Sequence, residues 1–328
     1  MVEEKPFNMQ ENSIRINYTN EGWEKVNIES KLSKLAQLCA EKTIVNYSEL
    51  KGGFLSKVLL LETLNKKVVV KISPFWNNTG LAREYWCYKQ LITKKPSIKI
   101  ARVFSYTSAR NSIFPGHEIL ILEYIPGHLI TYSELERSNM HKKISSILKK
   151  IHKIPMQGYG WLNKTFTGMH QSWIDFLVKI DNLEITRKSQ VLSSQDLDWL
   201  ITNLKRECDI NFCPHLLYGD LEKSNIIVNS RSLVFIDFQN CFSGHDLYDV
   251  GIGLFFIPQI LRNLKHYLRD KITKQNKKQI ILYAMRHALS ALGHRVTVKD
   301  KKGVRKAVRR FHELKKLYQT LCIQNETK

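Results

Sequence analysis

Hydrophobic positions recur at helical intervals through residues 21–43, where an apolar side chain follows every three or four positions. This spacing predicts an amphipathic helix at the start of the chain. Between residues 45 and 72 the pattern changes to short apolar runs, of which residues 68–70 (Val-Val-Val) form the clearest. Runs of this length, interrupted by turn residues, predict antiparallel strands.

The remaining pattern predicts two lobes of different composition. Helical spacing over residues 80–92 and apolar runs at 98–104 and 117–125 precede the turn signal Pro126-Gly127. We therefore expect an α+β, two-lobed fold, with a small β-rich lobe in residues 1–125 and a larger, mainly helical lobe in residues 126–328. The predicted elements of the second lobe are helices at 139–152, 171–183 and 195–207, one hairpin within 215–238, and helices from 246 onward.

Composition narrows the class of protein. The 328 residues are 43% hydrophobic and 25% charged, which is typical of a globular chain and excludes a disordered or collagen-like one. No apolar run approaches the roughly 18 residues of a membrane helix, and acidic residues stand where a secretory signal carries basic ones. The six cysteines form no CxxC pair, which favours buried thiols in a reducing compartment. We therefore expect a cytoplasmic protein.

Charge is distributed unevenly along the chain. The net charge is +21, and residues 259–328 contain 19 of the 51 Lys and Arg residues but only 4 of the 30 Asp and Glu residues. The excess therefore belongs to a basic C-terminal region and not to the whole protein. Such a region favours an anionic partner, although lysine on a solvated helix face explains it equally well.

Candidate chemistry is concentrated in residues 218–238. Asp220 and Asn225 have the D-x-x-x-x-N spacing of a phosphoryl-transfer catalytic loop, in which the aspartate accepts a proton from the attacking hydroxyl. A hairpin around residues 229–232 would bring Asn225 next to Asp237, and these two side chains carry the hard oxygen ligands that Mg²⁺ prefers. The alternative is structural, with Asp220 as a turn cap and Asp237 at the edge of an ordinary hairpin.

The first lobe supplies matching residues. Lys71 follows the apolar run at 68–70, and a lysine there is costly to bury unless it is paired, for which Glu84 on the next helix is suitable. The pair would direct the ammonium group at phosphate oxygens. The alternative is a strand-end lysine that reaches solvent.

Two weaker signals concern the nucleotide. Gly52 and Gly53 with Ser56 form a turn whose backbone could approach phosphates, although two glycines also make an ordinary hairpin turn. Backbone groups near Glu123 and Ile125, before the turn at Pro126, could bind the edge of an adenine base.

Together these residues resemble the aminoglycoside phosphotransferase and choline kinase-like superfamily, relatives of the protein kinases. The resemblance runs from about residue 45 to residue 251, with Tyr218 in place of the histidine that usually precedes Gly-Asp in the catalytic loop. The segments that carry it are the glycine turn, Lys71, Glu84, residues 123–127, residues 148–152, the Asp220 loop, Asp237, and Gly244 followed five positions later by Asp249.

The resemblance implies a kinase-like fold, with ATP or GTP bound at the first lobe, Mg²⁺ held by the second lobe, and a small-molecule hydroxyl as acceptor. Asp220 would be the base, Asn225 and Asp237 the magnesium ligands, and Lys71 the phosphate clamp, paired with Glu84. The basic C-terminal region favours an anionic acceptor over a polycationic one, unless it faces away from the cleft.

Two other functions stay open from the sequence. One is a kinase-like nucleotide-binding or scaffold protein that uses its basic face without transferase activity. The other is a protein kinase, which is disfavoured because no activation-segment motif follows Asp237. Aromatic residues are few in the basic region, so nucleic acid is an unfavoured partner. The acceptor, the oligomeric state and the pathway are not predicted.

Overall fold

The computed structural model describes residues 27–50, 56–74, 80–94, 97–163, 165–180, 183–230, 232–268 and 272–323. The lead-in helix predicted for residues 21–43 corresponds to the helix α1, which runs over Leu32–Leu38 after a 3₁₀ turn at Glu29–Lys31. Residues 21–26 lie outside the described part.

A five-stranded antiparallel sheet forms the first lobe, as the apolar runs predicted. The strands follow the order β1-β2-β3-β5-β4, and the helix α2 leaves the sheet after β3. The bounds of these elements are α1 Leu32–Leu38, β1 Ile44–Glu49, β2 Lys57–Thr63, β3 Lys67–Pro74, α2 Leu81–Lys94, β4 Val103–Thr107 and β5 His117–Glu123.

The alternation of side chains along β3 separates core from cleft. Val68, Val70 and Ile72 pack with Leu35 of α1 in one apolar cluster on the outer face of the sheet. The intervening residues Val69 and Lys71 therefore lie on the opposite face, which is turned toward the second lobe. A single strand thus anchors the lobe with one face and presents Lys71 with the other.

The second lobe is mainly helical, as predicted, but it contains more strand than the one expected hairpin. In the described part of this lobe, seven strands of two to four residues form two small sheets, ordered β11-β10-β6 and β8-β7-β12-β9. The bounds are β6 His128–Leu129, α3 Tyr132–Leu135, α4 Ser138–Ile151, β7 Tyr159–Leu162, β8 Gly168–His170, α5 Trp173–Val178, α6 Leu183–Ser189, α7 Ser194–Cys208, β9 His215–Leu217, β10 Ile226–Val228, β11 Leu233–Phe235, β12 Phe242–Gly244, α8 Leu247–Phe256, α9 Leu264–Tyr267, α10 Lys274–Thr297 and α11 Lys301–Ile323.

The basic C-terminal region forms α10 and α11, which pack against each other. Ala307, Phe311 and Leu314 of α11 are buried in the main core, whereas Lys302 and Lys306 are exposed. Ala307, Phe311 and Leu314 therefore form a buried apolar stripe on α11, and Lys302 and Lys306 point to solvent. No helix in the described part of the chain has the length and apolar character to cross a membrane.

Candidate active site

Lys71 and Glu84 form the predicted ion pair. Lys71 on β3 places its Nζ 3.0 Å from Oε1 and 2.8 Å from Oε2 of Glu84, in the first turn of α2. Glu84 is fully buried, and Lys71 is 7% exposed. The same Nζ lies 2.9 Å from Oδ1 of Asp237. Lys71 therefore connects the sheet, α2 and the segment that follows β11.

The two carboxylates decide the charge state of Lys71. Burial by itself disfavours the ammonium form, but the negative charges of Asp237 and Glu84 outweigh it and raise the pKa of Lys71 above its ordinary value. Burial also raises the pKa of Glu84, and the attraction of Lys71 opposes that rise. Lys71 is therefore a cation at neutral pH, as a phosphate-binding group must be.

The loop between β9 and β10 carries Asp220 at the cleft. Gly219 before it has φ of +81°, and a Cβ at this position would lie 1.9 Å from the carbonyl oxygen of Asn240, so glycine is required. The Asn240 side chain donates to Oδ2 of Asp220 over 3.1 Å and fixes the carboxylate. Burial, followed by the negative charges of Glu222 and Asp237, raises the pKa of Asp220 well above its ordinary value.

Asp249, at the start of α8, holds this loop from its buried side. The backbone N–H groups of Tyr218 and Gly219 each donate to one oxygen of the Asp249 carboxylate over 2.8 Å. Nε2 of His152 lies 2.8 Å from the same carboxylate. The sequence analysis noted the spacing of Asp249 from Gly244 but assigned Asp249 no role. In the structure, Asp249 positions the backbone next to Asp220.

Tyr218 braces the loop from its other side. The buried hydroxyl group of Tyr218 donates to the carbonyl oxygen of Ile236, just before Asp237. The tyrosine thus joins the Asp220 loop to the Asp237 segment, and the departure from the family pattern keeps a hydrogen-bonding brace. His215 does not replace it, because its Nδ1 lies 2.9 Å from Asp246 instead.

The predicted hairpin is present. Ile226 of β10 pairs with Phe235 of β11, and the N–H of Ile236 donates to the carbonyl oxygen of Asn225 over 3.0 Å. Asn225 and Asp237 therefore stand at the open end of the hairpin, on neighbouring strands. Asp237 has φ of +63°, a strained conformation for a residue other than glycine and one that is frequent at functional sites.

The oxygens at the open end of the hairpin fit a magnesium ion. The side-chain Nδ2 of Asn225 donates to the carbonyl oxygen of Asp220 over 3.2 Å, which leaves Oδ1 of the amide as an acceptor. The described residues contain no group of three or more His, Cys, Asp or Glu side chains suited to a metal. A site of one amide and one carboxylate suits Mg²⁺ only when phosphate oxygens and water complete the shell.

One cavity of about 680 Å³ between the lobes is lined by Lys71, Glu84, Asp220, Asn225 and Asp237. On the side formed by the first lobe, three groups lack hydrogen-bond partners among the described residues: the buried Oγ of Ser56, the backbone N–H of Ile125 and the backbone C=O of Ile125. Glu123 also lines the cavity, but its N–H and its carboxylate are bonded to the backbone of Arg102. Gly52 and Gly53 lie outside the described residues.

Sequence reasoning missed the other wall of the cavity. Residues of α8 and α10 line it, among them His287 and Ser290, together with Trp161 of β7. No regular signal marks them, because α10 carries polar residues around its whole circumference. No residue of α11 lines the cavity. The charge of α11 therefore gives no support to the expectation of an anionic acceptor.

The chain matches a known protein family. The sequence matches the model of the phosphotransferase enzyme family over residues 46–271. A search of curated sequences found no significant match.

Solved structures share the fold at low sequence identity. Aminoglycoside phosphotransferase APH(4)-Ia aligns with a TM-score of 0.71 and 14% identity, over 88% of this chain and 98% of that chain. A mutant of aminoglycoside 2'-phosphotransferase-IIIa gives 0.64 and 13%, over 88% and 97%. A protein from Haemophilus somnus with the provisional name fructosamine-3-kinase gives 0.62 and 17%, over 86% and 96%.

Proposed function

Because the chain belongs to the phosphotransferase enzyme family, we propose that it transfers the γ-phosphoryl group of ATP or GTP to a hydroxyl group of a small molecule. The observation that carries this proposal is that Lys71, Asp220, Asn225 and Asp237 line one cavity. Lys71 comes from the first lobe and the other three from the second, so the cavity brings together the proposed phosphate-binding cation, the proposed base and the proposed metal ligands.

Asp220 is the proposed general base. Its carboxylate would take the proton of the acceptor hydroxyl as that oxygen attacks the γ-phosphorus. A pKa above the ordinary carboxyl value makes the carboxylate a stronger proton acceptor, and the hydrogen bond from Asn240 fixes its direction. The bonds from Tyr218 and Gly219 to Asp249 hold the backbone that carries it.

Asn225 and Asp237 are the proposed magnesium ligands. Bound Mg²⁺ would neutralise charge on the phosphate oxygens and hold them for in-line transfer. Lys71 would contact the phosphates from the first lobe, with Glu84 fixing its direction. The hydrogen bond from Asn225 to the Asp220 backbone couples the metal ligand to the base.

The nucleotide is proposed to bind along β3 and the connector after β5. Ile125 offers both a backbone donor and a backbone acceptor to the edge of a purine, and Ser56 offers a hydroxyl to the phosphates. ATP and GTP both stay in the proposal as phosphoryl donors, since a thermostable mutant of APH(4)-Ia was solved with AMP-PNP and hygromycin B and a mutant of aminoglycoside 2'-phosphotransferase-IIIa with GDP.

Replacement of the base tests the proposal. We expect Asp220→Asn to lower kcat of acceptor-dependent transfer by about 10²- to 10⁴-fold, because the amide cannot accept the proton. The dissociation constant of the magnesium nucleotide, measured by calorimetry, should change less than threefold. Asp198→Asn makes the same change at an exposed side chain and should leave both quantities unaltered. Transfer at more than a tenth of the wild-type rate in Asp220→Asn contradicts the assignment.

A further inference from the structure

One face of α10 forms a wall of the active-site cavity. His287, Ser290, Ala291 and His294 all line the cavity, and their spacing of three, one and three positions places them on one face of the helix. We call these four residues the α10 wall. Trp161 and Phe256 line the same cavity, and the ring of Phe256 contacts His287 with centroids 5.3 Å apart.

The acidic side chains that line the cavity lie outside the α10 wall. Neither α8 nor α10 contributes an acidic side chain to the described lining, so the helical part of the cavity lacks the groups that would bind amines. The acidic residues that line the cavity come from the first lobe or from the catalytic loop and hairpin: Glu84, Glu123, Asp220, Glu222 and Asp237.

A buried cation lies on the same side. Arg286 is 2% exposed and lines the cavity next to the α10 wall. Its Nη1 donates to the hydroxyl of Tyr248 over 2.9 Å, its Nη2 donates to the carbonyl oxygen of Phe176 over 3.1 Å, and its guanidinium lies over the Phe176 ring. Within the described part of the chain Arg286 forms no salt bridge. Its uncompensated positive charge repels a cationic ligand at short range.

The α10 wall has polar groups without partners. Nε2 of His287 is buried and has no hydrogen-bond partner, and the Ser290 hydroxyl has none among the described residues. Burial, followed by the charges of Arg286 and Arg295, lowers the pKa of His287 to about 3, so the imidazole is neutral at pH 7. A ligand with hydroxyl groups would satisfy such neutral groups, because hydroxyls both donate and accept.

We propose that the α10 wall binds the phosphoryl acceptor and that this acceptor is an uncharged, hydroxylated molecule with an apolar face. Its hydroxyl groups bond to Ser290 and His287, and its apolar face packs on Trp161 and Phe256. Arg286 and the absence of acidic residues in the described lining of α8 and α10 exclude polyamines. This inference rests on the proposed phosphotransferase function.

A substrate panel tests the chemical class. Transfer from magnesium ATP and magnesium GTP is measured with uncharged compounds (glucose, ribose, myo-inositol, adenosine and uridine) and with two polyamines, hygromycin B and kanamycin. We expect transfer to at least one uncharged compound and to neither polyamine. Transfer to polyamines alone, lost in Asp220→Asn, overturns the inference and leaves the proposed function intact. Absence of transfer to every compound overturns the inference, and absence of magnesium-dependent nucleotide binding overturns the proposed function.

Two variants test the α10 wall itself. Ser290→Ala should raise the KM of the accepted compound about three- to tenfold with kcat within twofold, because one neutral hydrogen bond to the acceptor is lost. Ala291→Asp adds a carboxylate to the wall and should strengthen binding of hygromycin B at least tenfold in calorimetry. Lys306→Gln makes the same one-unit charge change on the exposed face of α11 and should have neither effect. An unchanged KM in Ser290→Ala, or equal effects of Ala291→Asp and Lys306→Gln, overturns the inference.

Discussion

Asp249 is the residue on which the geometry of the Asp220 loop depends. It is fully buried, and its carboxylate accepts the backbone N–H groups of Tyr218 and Gly219 and contacts His152. A buried carboxylate with this number of donors cannot be replaced by an amide without leaving a donor facing another donor. The position of Asp220 is therefore set by a residue that does not line the described cavity.

Replacement of Asp249 by asparagine should lower both stability and activity. We expect the free energy of unfolding to fall by about 2 to 4 kcal/mol, because the new side-chain amide presents N–H donors to backbone donors. Denaturant titration measures this loss, and initial rates should show kcat at least tenfold lower. The exposed substitution Asp198→Asn serves as the control. A variant that keeps its stability within 1 kcal/mol contradicts the supporting role.

The sequence reveals some site residues more readily than others. Lys71 is a lone cation after an apolar run, and burial of a charge requires a partner, so the pair with Glu84 could be predicted. Asn240 could not be, because its bond to Asp220 arises from a close approach of two loops at Gly219, which no local pattern records. The roles of Ser56, Glu123 and Ile125 in nucleotide binding stay predictions.

At the scale of elements, the sequence predicts a short strand only where the neighbouring segments of the chain also give a signal. The hairpin of β10 and β11 was predicted because two apolar runs flank a polar turn. The strands β6, β7, β8, β9 and β12 were not, because strands of two to four residues are too short to show a period of two and are recognised only where, as for β10 and β11, two apolar runs flank a turn. Apart from the pair of β7 with β8, these strands pair with segments distant in sequence, so their hydrogen bonds are a product of the tertiary fold.

The junction of α8 with α10 gives stability a dependence on pH. His245 precedes α8, and its Nδ1 lies 3.2 Å from the Tyr283 hydroxyl of α10. Burial lowers the pKa of His245 to about 4; the charge of Asp246 opposes the shift, and the charges of His152 and His215 add to it. An unfolded histidine has a pKa of about 6.5, so the unfolded chain binds the proton first as pH falls.

The contribution of His245 to stability should therefore decrease as pH falls from about 6.5 to 4.5. One additional proton bound by the unfolded chain lowers the free energy of unfolding by about 1.4 kcal/mol for each unit by which the pH falls. In urea titrations across this window, the slope of unfolding free energy against pH should be shallower in His245→Asn, by up to that amount. Other groups also make stability depend on pH in this window, among them His287, whose pKa is lowered to about 3, and the carboxyl groups of Glu84 and Asp220, whose pKa values are raised, so only the difference in slope between the variant and the wild type is assigned to His245. Equal slopes in the variant and the wild type contradict the assignment.

At the scale of the whole molecule, the excess positive charge lies largely outside the active-site cavity. The net charge is +21, but α11 packs on the core through its apolar stripe and contributes no residue to the described cavity. Arg286 is the one cation of the basic C-terminal region that lines the cavity in the described part of the chain. The sequence located the excess charge, but only tertiary packing decides which face of a helix meets the cleft.

The surface charge of α11 should not affect catalysis. We expect the double variant Lys302→Gln/Lys306→Gln to keep the KM values for nucleotide and acceptor within twofold of the wild type, because both side chains are exposed and outside the cavity. Steady-state rates at two ionic strengths measure this. A fivefold change in either KM would show that the field of α11 reaches the site.

Direct observation of the product tests the central claim. A reaction of the wild-type protein with magnesium ATP or GTP and the panel of uncharged acceptors is followed by ³¹P NMR. The account predicts that the γ-phosphate signal is replaced by a phosphomonoester signal on an acceptor hydroxyl, and that this signal grows about 10²- to 10⁴-fold more slowly in Asp220→Asn, which still binds the nucleotide. A phosphomonoester signal that grows at more than a tenth of the wild-type rate in Asp220→Asn, or nucleotide that stays intact with every acceptor, would contradict it.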